Sequence, residues 1–111
     1  MQIAKSDIGQ RGTVLTLDGR LNMVSAPQLK AAVTDAVAGG RPQLVVDLSA
    51  VSFLDSSGLG ALIAGLKASR QAGGDLRMTG ANEQVRTVLR LTNLDRVLRP
   101  YDTVQAATDD W

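Results

Sequence analysis

The stretch that most constrains this chain is Leu44-Val45-Val46-Asp47-Leu48 together with the segment Val51-Ser52-Phe53-Leu54-Asp55-Ser56-Ser57-Gly58-Leu59-Gly60 just after it. The first part is a short, mostly branched apolar run, the pattern of a buried strand. From Leu59 to Ala68 the spacing becomes helical, with Leu59, Leu62, Ile63 and Leu66 on one face and Lys67 and Arg70 facing elsewhere. The order is therefore strand, a loop over Val51 to Leu54, and a helix that opens on two adjacent hydroxyls. A helix start leaves backbone N–H groups unpaired and carries the positive end of the helix dipole. A phosphate on a serine at that point is electrostatically favoured. Asp55-Ser56-Ser57 also suits a plain structural N-cap, and on these three residues alone the cap is the favoured reading, since caps are common and switches are not.

The flanking segments supply the rest of an α/β architecture. Gln2 to Lys5 and Gly12 to Leu17 read as strands joined by a turn at Gly9-Gln10, with Asp18-Gly19 ending the second. Arg20-Leu21-Asn22-Met23 leads into a helix capped near Val24-Ser25, with Pro27 in its first turn. Leu29, Ala32, Val33, Ala36 and Val37 form its apolar stripe, and Gly39-Gly40 ends it. A helix between two strands implies a right-handed crossover and parallel pairing. Gly73-Gly74 ends the second helix, and Asp75 to Thr79 is a strand. Asn82 caps a third helix, with Val85, Val88 and Leu89 inward and Arg86 and Arg90 outward. Thr92 to Asp95 breaks that helix, Val97 to Arg99 reads as a last edge strand, and Asp102 caps a terminal helix from Thr103 to Ala107. The expectation is one domain over residues 1–111, with 108–111 as a short tail. Its sheet has four to five strands, mostly parallel or mixed, with about four helices packed on it. Phe53 and Leu59 are expected in the core, and the glycines of the second helix are expected to let it approach the sheet. Each such glycine costs about 1 kcal/mol of helix stability relative to alanine, so close approach has to offset it.

Composition narrows function by exclusion. The chain has no His and no Cys, which removes the commonest general base, the commonest metal ligand, disulfides and thiolate sites. Twelve basic side chains face eleven acidic ones, so no bulk field recruits nucleic acid or an anionic membrane. There is neither a P-loop pattern nor a Gly-x-Ser-x-Gly elbow, and no apolar run long enough to span a bilayer. No signal-peptide pattern opens the chain, so a cytoplasmic location is expected. Asp47 within the apolar run raises the possibility of a phospho-accepting aspartate of the receiver kind. That arrangement needs an acidic pair after the first strand and a lysine late in the sheet. Neither is present, and Met78-Thr79-Gly80 stands where the lysine belongs. An Asp47 at a sheet edge or strand end, with a hydrogen-bonded carboxylate, is the expectation instead.

The segment Asp47 to Gly60, ending in Asp-Ser-Ser-Gly-Leu-Gly, resembles the signature of the STAS-domain anti-sigma factor antagonists. Leu17 to Asn22 is similar to the family's strand and Gly-x-Leu-Asp approach to its first helix. Gln71 to Leu76 and Val85 to Val97 resemble its later helix-to-strand junctions, so the likeness spans nearly the whole chain. The resemblance implies a binding module and not an enzyme, with no cofactor and no metal. Its unmodified form would bind an anti-sigma factor that is also a serine kinase, releasing a sigma factor. Phosphorylation of the first serine of the motif, here Ser56, would end that binding, and a separate metal-dependent serine phosphatase would restore it. Ser57 matches the family's non-acceptor serine. Asn22, Asp55, Ser57 and Gly58 map to the partner-binding surface, and Asn22 departs from the family's usual Asp. The resemblance also admits a STAS subunit of a lipid or anion transport complex, or a stress-signalling scaffold, neither of which needs a phosphoserine.

Overall fold

The computed structural model describes residues 1–111. In chain order the elements are β1 (Gln2–Ile8), β2 (Gly12–Leu21), α1 (Ala26–Ala38), β3 (Gln43–Leu54), α2 (Ser56–Gln71), β4 (Asp75–Thr79), α3 (Glu83–Leu91), β5 (Pro100–Tyr101) and α4 (Val104–Thr108). The strands lie side by side in sequence order, β1 antiparallel to β2 and every later neighbour parallel. Right-handed crossovers in a sheet wound in one direction place their helices on one face. Leu29 and Val33 of α1, Leu62 and Leu66 of α2, and Val85 and Leu89 of α3 accordingly join Leu15, Leu44, Val46 and Leu76 of the sheet in one apolar core. Helix α4 takes the other face, where Ala107 meets Val14 and Val45. No helix is long and apolar enough to cross a membrane.

One side chain fixes the β1–β2 hairpin from below. The Arg41 guanidinium donates to the carbonyls of Gly12 (2.9 Å), Gln10 (2.9 Å) and Gly9 (2.6 Å) and lies 3.2 Å from the Asp7 carboxylate. The Gly9 and Gln10 carbonyls lie in the turn between the strands, and a rigid fork of donors satisfies them.

Several expectations are corrected. Asp18-Gly19 does not end β2. The strand bulges between Thr16 and Asp18 and again between Gly19 and Arg20, then continues to Leu21 beside β3. Val51 to Leu54 is not a loop but the extension of β3, paired with that end of β2. The last strand is Pro100–Tyr101 and not Val97 to Arg99, because Leu98 turns fully inward as a single anchor. Thr103, not Asp102, caps α4, its hydroxyl accepting from the Ala106 N–H at 3.0 Å. Residues 108–111 are not a loose tail: Asp110 pairs with Arg77, and the Trp111 ring lies 4.7 Å from the same guanidinium. Phe53, expected in the core, is half-buried and stacks under Arg20 at 4.7 Å. Asp47 is at neither an edge nor a strand end but within β3, between β2 and β4, while its carboxylate is hydrogen-bonded as expected, accepting the Ser49 N–H at 3.0 Å.

Candidate functional site

The site grows from the junction of β3 and α2. Asp55 sits in extended backbone at the N-cap, and its Oδ1 accepts the Gly58 N–H at 2.8 Å while its carbonyl accepts the Leu59 N–H at 2.9 Å. The second carboxylate oxygen reaches across to another loop and accepts the Met23 N–H at 3.2 Å. One half-buried carboxylate thus ties the start of α2 to the β2–α1 turn.

That turn is built by Asn22. Its Oδ1 accepts the N–H groups of Val24 (3.0 Å) and Ser25 (3.2 Å), a local cap that needs an oxygen but no charge. The buried Ser25 hydroxyl donates to the Arg20 carbonyl at 2.6 Å and accepts the Asn22 N–H at 2.9 Å. With its polar groups committed inward, the turn pushes Met23 and Val24 outward, 71% and 80% exposed. Two large apolar side chains at a loop tip, beside a helix start, form a small surface suited to docking. Sequence reasoning missed them. The signal available was two apolar residues inside an otherwise polar turn.

Ser56 is the first residue of α2 and is exposed, with no hydrogen bond to its hydroxyl in the structure. Ser57 is half-buried. Gly60 and Ala64 follow Ser56 on the same exposed side of α2, and a Cβ placed on Gly60 would meet nothing within 4 Å. Gly65 does serve the core, since a Cβ there would lie 2.9 Å from Leu76. Of the three glycines of α2, Gly58 and Gly65 are buried and Gly60 alone lies on a flat outer face.

Gly58 is corrected. Expected at the partner surface, it is buried, and an added Cβ would lie 2.4 Å from the Leu21 carbonyl oxygen and 2.8 Å from Leu54. Its role is to let α2 press on the ends of β2 and β3. Of the predicted site residues, Asn22, Asp55, Ser56 and Ser57 are brought together, and Gly58 lies beneath them. Gln84, also missed, clamps the end of β3: its side-chain amide donates to the Leu54 carbonyl (2.9 Å) and accepts the Leu54 N–H (3.0 Å).

Comparison with known proteins agrees with this fold. The STAS domain family model matches residues 4–107. The anti-sigma-F factor antagonist RsfB of Mycobacterium tuberculosis is 32% identical over 96 residues, which cover 85% of this chain and 76% of that protein. The anti-sigma-B factor antagonist of Staphylococcus aureus is 30% identical over 76 residues, 68% of this chain and 70% of its own length. A solved anti-sigma factor antagonist from Mycobacterium paratuberculosis superimposes with a TM-score of 0.84 at 32% identity, over 97% of this chain and 91% of that one. The chain belongs to the STAS-domain family, and these relatives within it are anti-sigma factor antagonists.

Proposed function

We propose that this protein is an anti-sigma factor antagonist switched by phosphorylation of Ser56. Its partner is an anti-sigma factor that is also a serine kinase, and a serine phosphatase reverses the modification. The protein acts as substrate and binding module, and the reading places it in the cytoplasm. The observation that carries this reading is an exposed hydroxyl at the first position of α2, adjoining the Met23–Val24 tip that Asp55 holds in place.

A phosphate adds about −1.5 to −2 charges. At the start of α2 the helix dipole offsets part of that charge, by about 0.3–1 kcal/mol, while Asp55 opposes it. The exposed Ser56 hydroxyl makes no hydrogen bond that holds the fold together, so the domain is expected to survive the modification. A docked interface does not. A dianion pressed against a partner loses its water, and like charges meeting there cost several kcal/mol. About 3 kcal/mol already weakens binding more than a hundredfold. The half-buried Ser57 is the poorer acceptor because a kinase has less access to it.

Peptide mass spectrometry after incubation with the cognate kinase and ATP tests the assignment. One phosphate, on Ser56, is expected, with Ser56→Ala unmodified and still bound by the kinase. A phosphate found only on Ser57 or on a threonine overturns it.

A further inference from the structure

A second feature shares no residue with the Ser56 site and stands independently of the reading given to it. Between the outer face of α3 and the segment entering β5 lies an open cleft of about 260 Å³, lined by Arg86, Leu89, Arg90, Asp95, Arg99 and Pro100. Arg86 and Arg90 stand one turn apart on α3, and Arg99 faces them from the segment before β5. Three arginines outside the cleft, Arg11, Arg20 and Arg96, have no ion pair either, but Arg41, Arg70 and Arg77 are paired. Arg77 is held by both Asp75 and Asp110, and Arg41 by Asp7 and the hairpin carbonyls. In the cleft that closure is missing. No ion pair of the structure includes Arg90, Arg99 or Asp95. Arg86 reaches only the highly exposed Asp102, at 3.6 Å, while its Nε donates to the Ala81 carbonyl. Arg90 has a single long contact to the Thr87 hydroxyl at 3.5 Å, and Arg99 faces the Tyr101 ring at 5.9 Å.

Three arginines lining one cleft beside a single carboxylate leave an excess of positive charge there, which a bound anion offsets. Planar forks of donors fit the oxygens of phosphate in a two-point geometry that lysine does not supply. The size and lining narrow the ligand further. The volume is at or below the lower end of ordinary small-molecule sites, and no aromatic ring lines the cleft to stack on a base. We propose that the cleft formed by Arg86, Arg90 and Arg99 is a binding site for a compact phosphate-bearing anion. Asp95, the one carboxylate in its lining, limits the affinity of that site.

Titration of the full chain with inorganic pyrophosphate, followed by calorimetry and by the side-chain Nε–H signals of the arginines, tests this. A parallel arm measures co-sedimentation with phosphatidylcholine vesicles containing phosphatidic acid. Saturable pyrophosphate binding is expected, with shifts confined to Arg86, Arg90 and Arg99. Arg90→Ala and Arg99→Ala should each weaken it by about tenfold or more, as expected for loss of a charge-assisted fork. Asp95→Asn should tighten it, a gain that a merely structural disturbance would not give. Arg11→Ala, which removes an exposed charge outside the cleft, should leave it unchanged. Binding to vesicles alone, with the same dependence on Arg90 and Arg99, assigns the phosphate to a lipid headgroup. Binding in neither arm, or equal weakening by Arg11→Ala, overturns the proposal.

Discussion

Two helices of this protein begin with the same frame and use it for different ends. At α2 the first four positions are Asp55, Ser56, Ser57 and Gly58; at α3 they are Asn82, Glu83, Gln84 and Val85. In both, the capping side chain accepts the N–H of the third helical residue, at 2.8 Å in α2 and 2.9 Å in α3. The difference lies in the second bond. The Asn82 amide donates to the Val51 carbonyl at 3.1 Å, and Gln84 completes the edge of β3, so the start of α3 is fastened to the sheet. Asp55 instead spends its second oxygen on Met23, at the exposed tip of another loop. The first helical position differs in the same sense. α3 carries a permanent carboxylate, Glu83, exposed and tolerated by the helix start, where α2 carries a hydroxyl. Phosphorylation of Ser56 would give α2 the kind of charge that α3 always has, so the proposed switch would act on the surface and not on the fold.

The largest effect that would break this comparison falls on the third position. Gly58→Ala forces a Cβ against the Leu21 carbonyl and should lower unfolding free energy in denaturant titration by about 3 kcal/mol, through overpacking. Val85, fully buried at the matching place in α3, must instead stay large, and Val85→Ala should cost about 2 kcal/mol through the cavity it leaves. A neutral Gly58→Ala would mean that α2 does not press on the strand ends as described.

The caps come next, and they should cross over between two assays. Asn82→Ala loses a cap and a sheet contact together and should cost about 2 kcal/mol of stability, against about 1 kcal/mol for Asp55→Ala. In binding to the kinase the order should reverse, because only Asp55 holds the Met23–Val24 tip. If the two variants rank the same way in both assays, the division of labour between the caps is wrong.

These junctions also show what could be read from sequence. The apolar run of β3, the stripe of α2 and the caps Asp55 and Asn82 were legible because each depends on neighbours within a turn or a strand. Val51 to Leu54 was not, because one edge of that extension pairs with β2 across two bulges and the other is met by the side chains of Asn82 and Gln84. Partners so distant in sequence leave no periodicity. Phe53 misled for a related reason: an aromatic in an apolar run reads as core, yet its place is set by Arg20 on the neighbouring strand. Within the site, Ser56 and its cap were visible as a motif. The exposed Met23–Val24 tip was not, since these residues owe their exposure to the inward bonds of Asn22 and Ser25.

The smallest expected effect lies far from either helix start. Hydrogen bonding to Arg77 holds the Asp110 carboxyl below the usual carboxylate value, and the same contact raises Arg77. A group lowered in the folded state contributes stability above its ordinary value and loses it as pH falls through the lowered one. Asp110→Asn should therefore lower neutral stability slightly and flatten the acid limb by the same small amount, since the pair is exposed on the Asp110 side. An unchanged acid limb would show that the pair is not maintained in solution.

The most direct test compares unmodified and Ser56-phosphorylated protein in the same two measurements, calorimetric affinity for the cognate kinase and midpoint of unfolding. The account predicts affinity lower by more than about a hundredfold, with the unfolding free energy changed by about 1 kcal/mol or less. Equal affinity of the two forms, or loss of binding accompanied by unfolding of the phosphorylated chain, would contradict it.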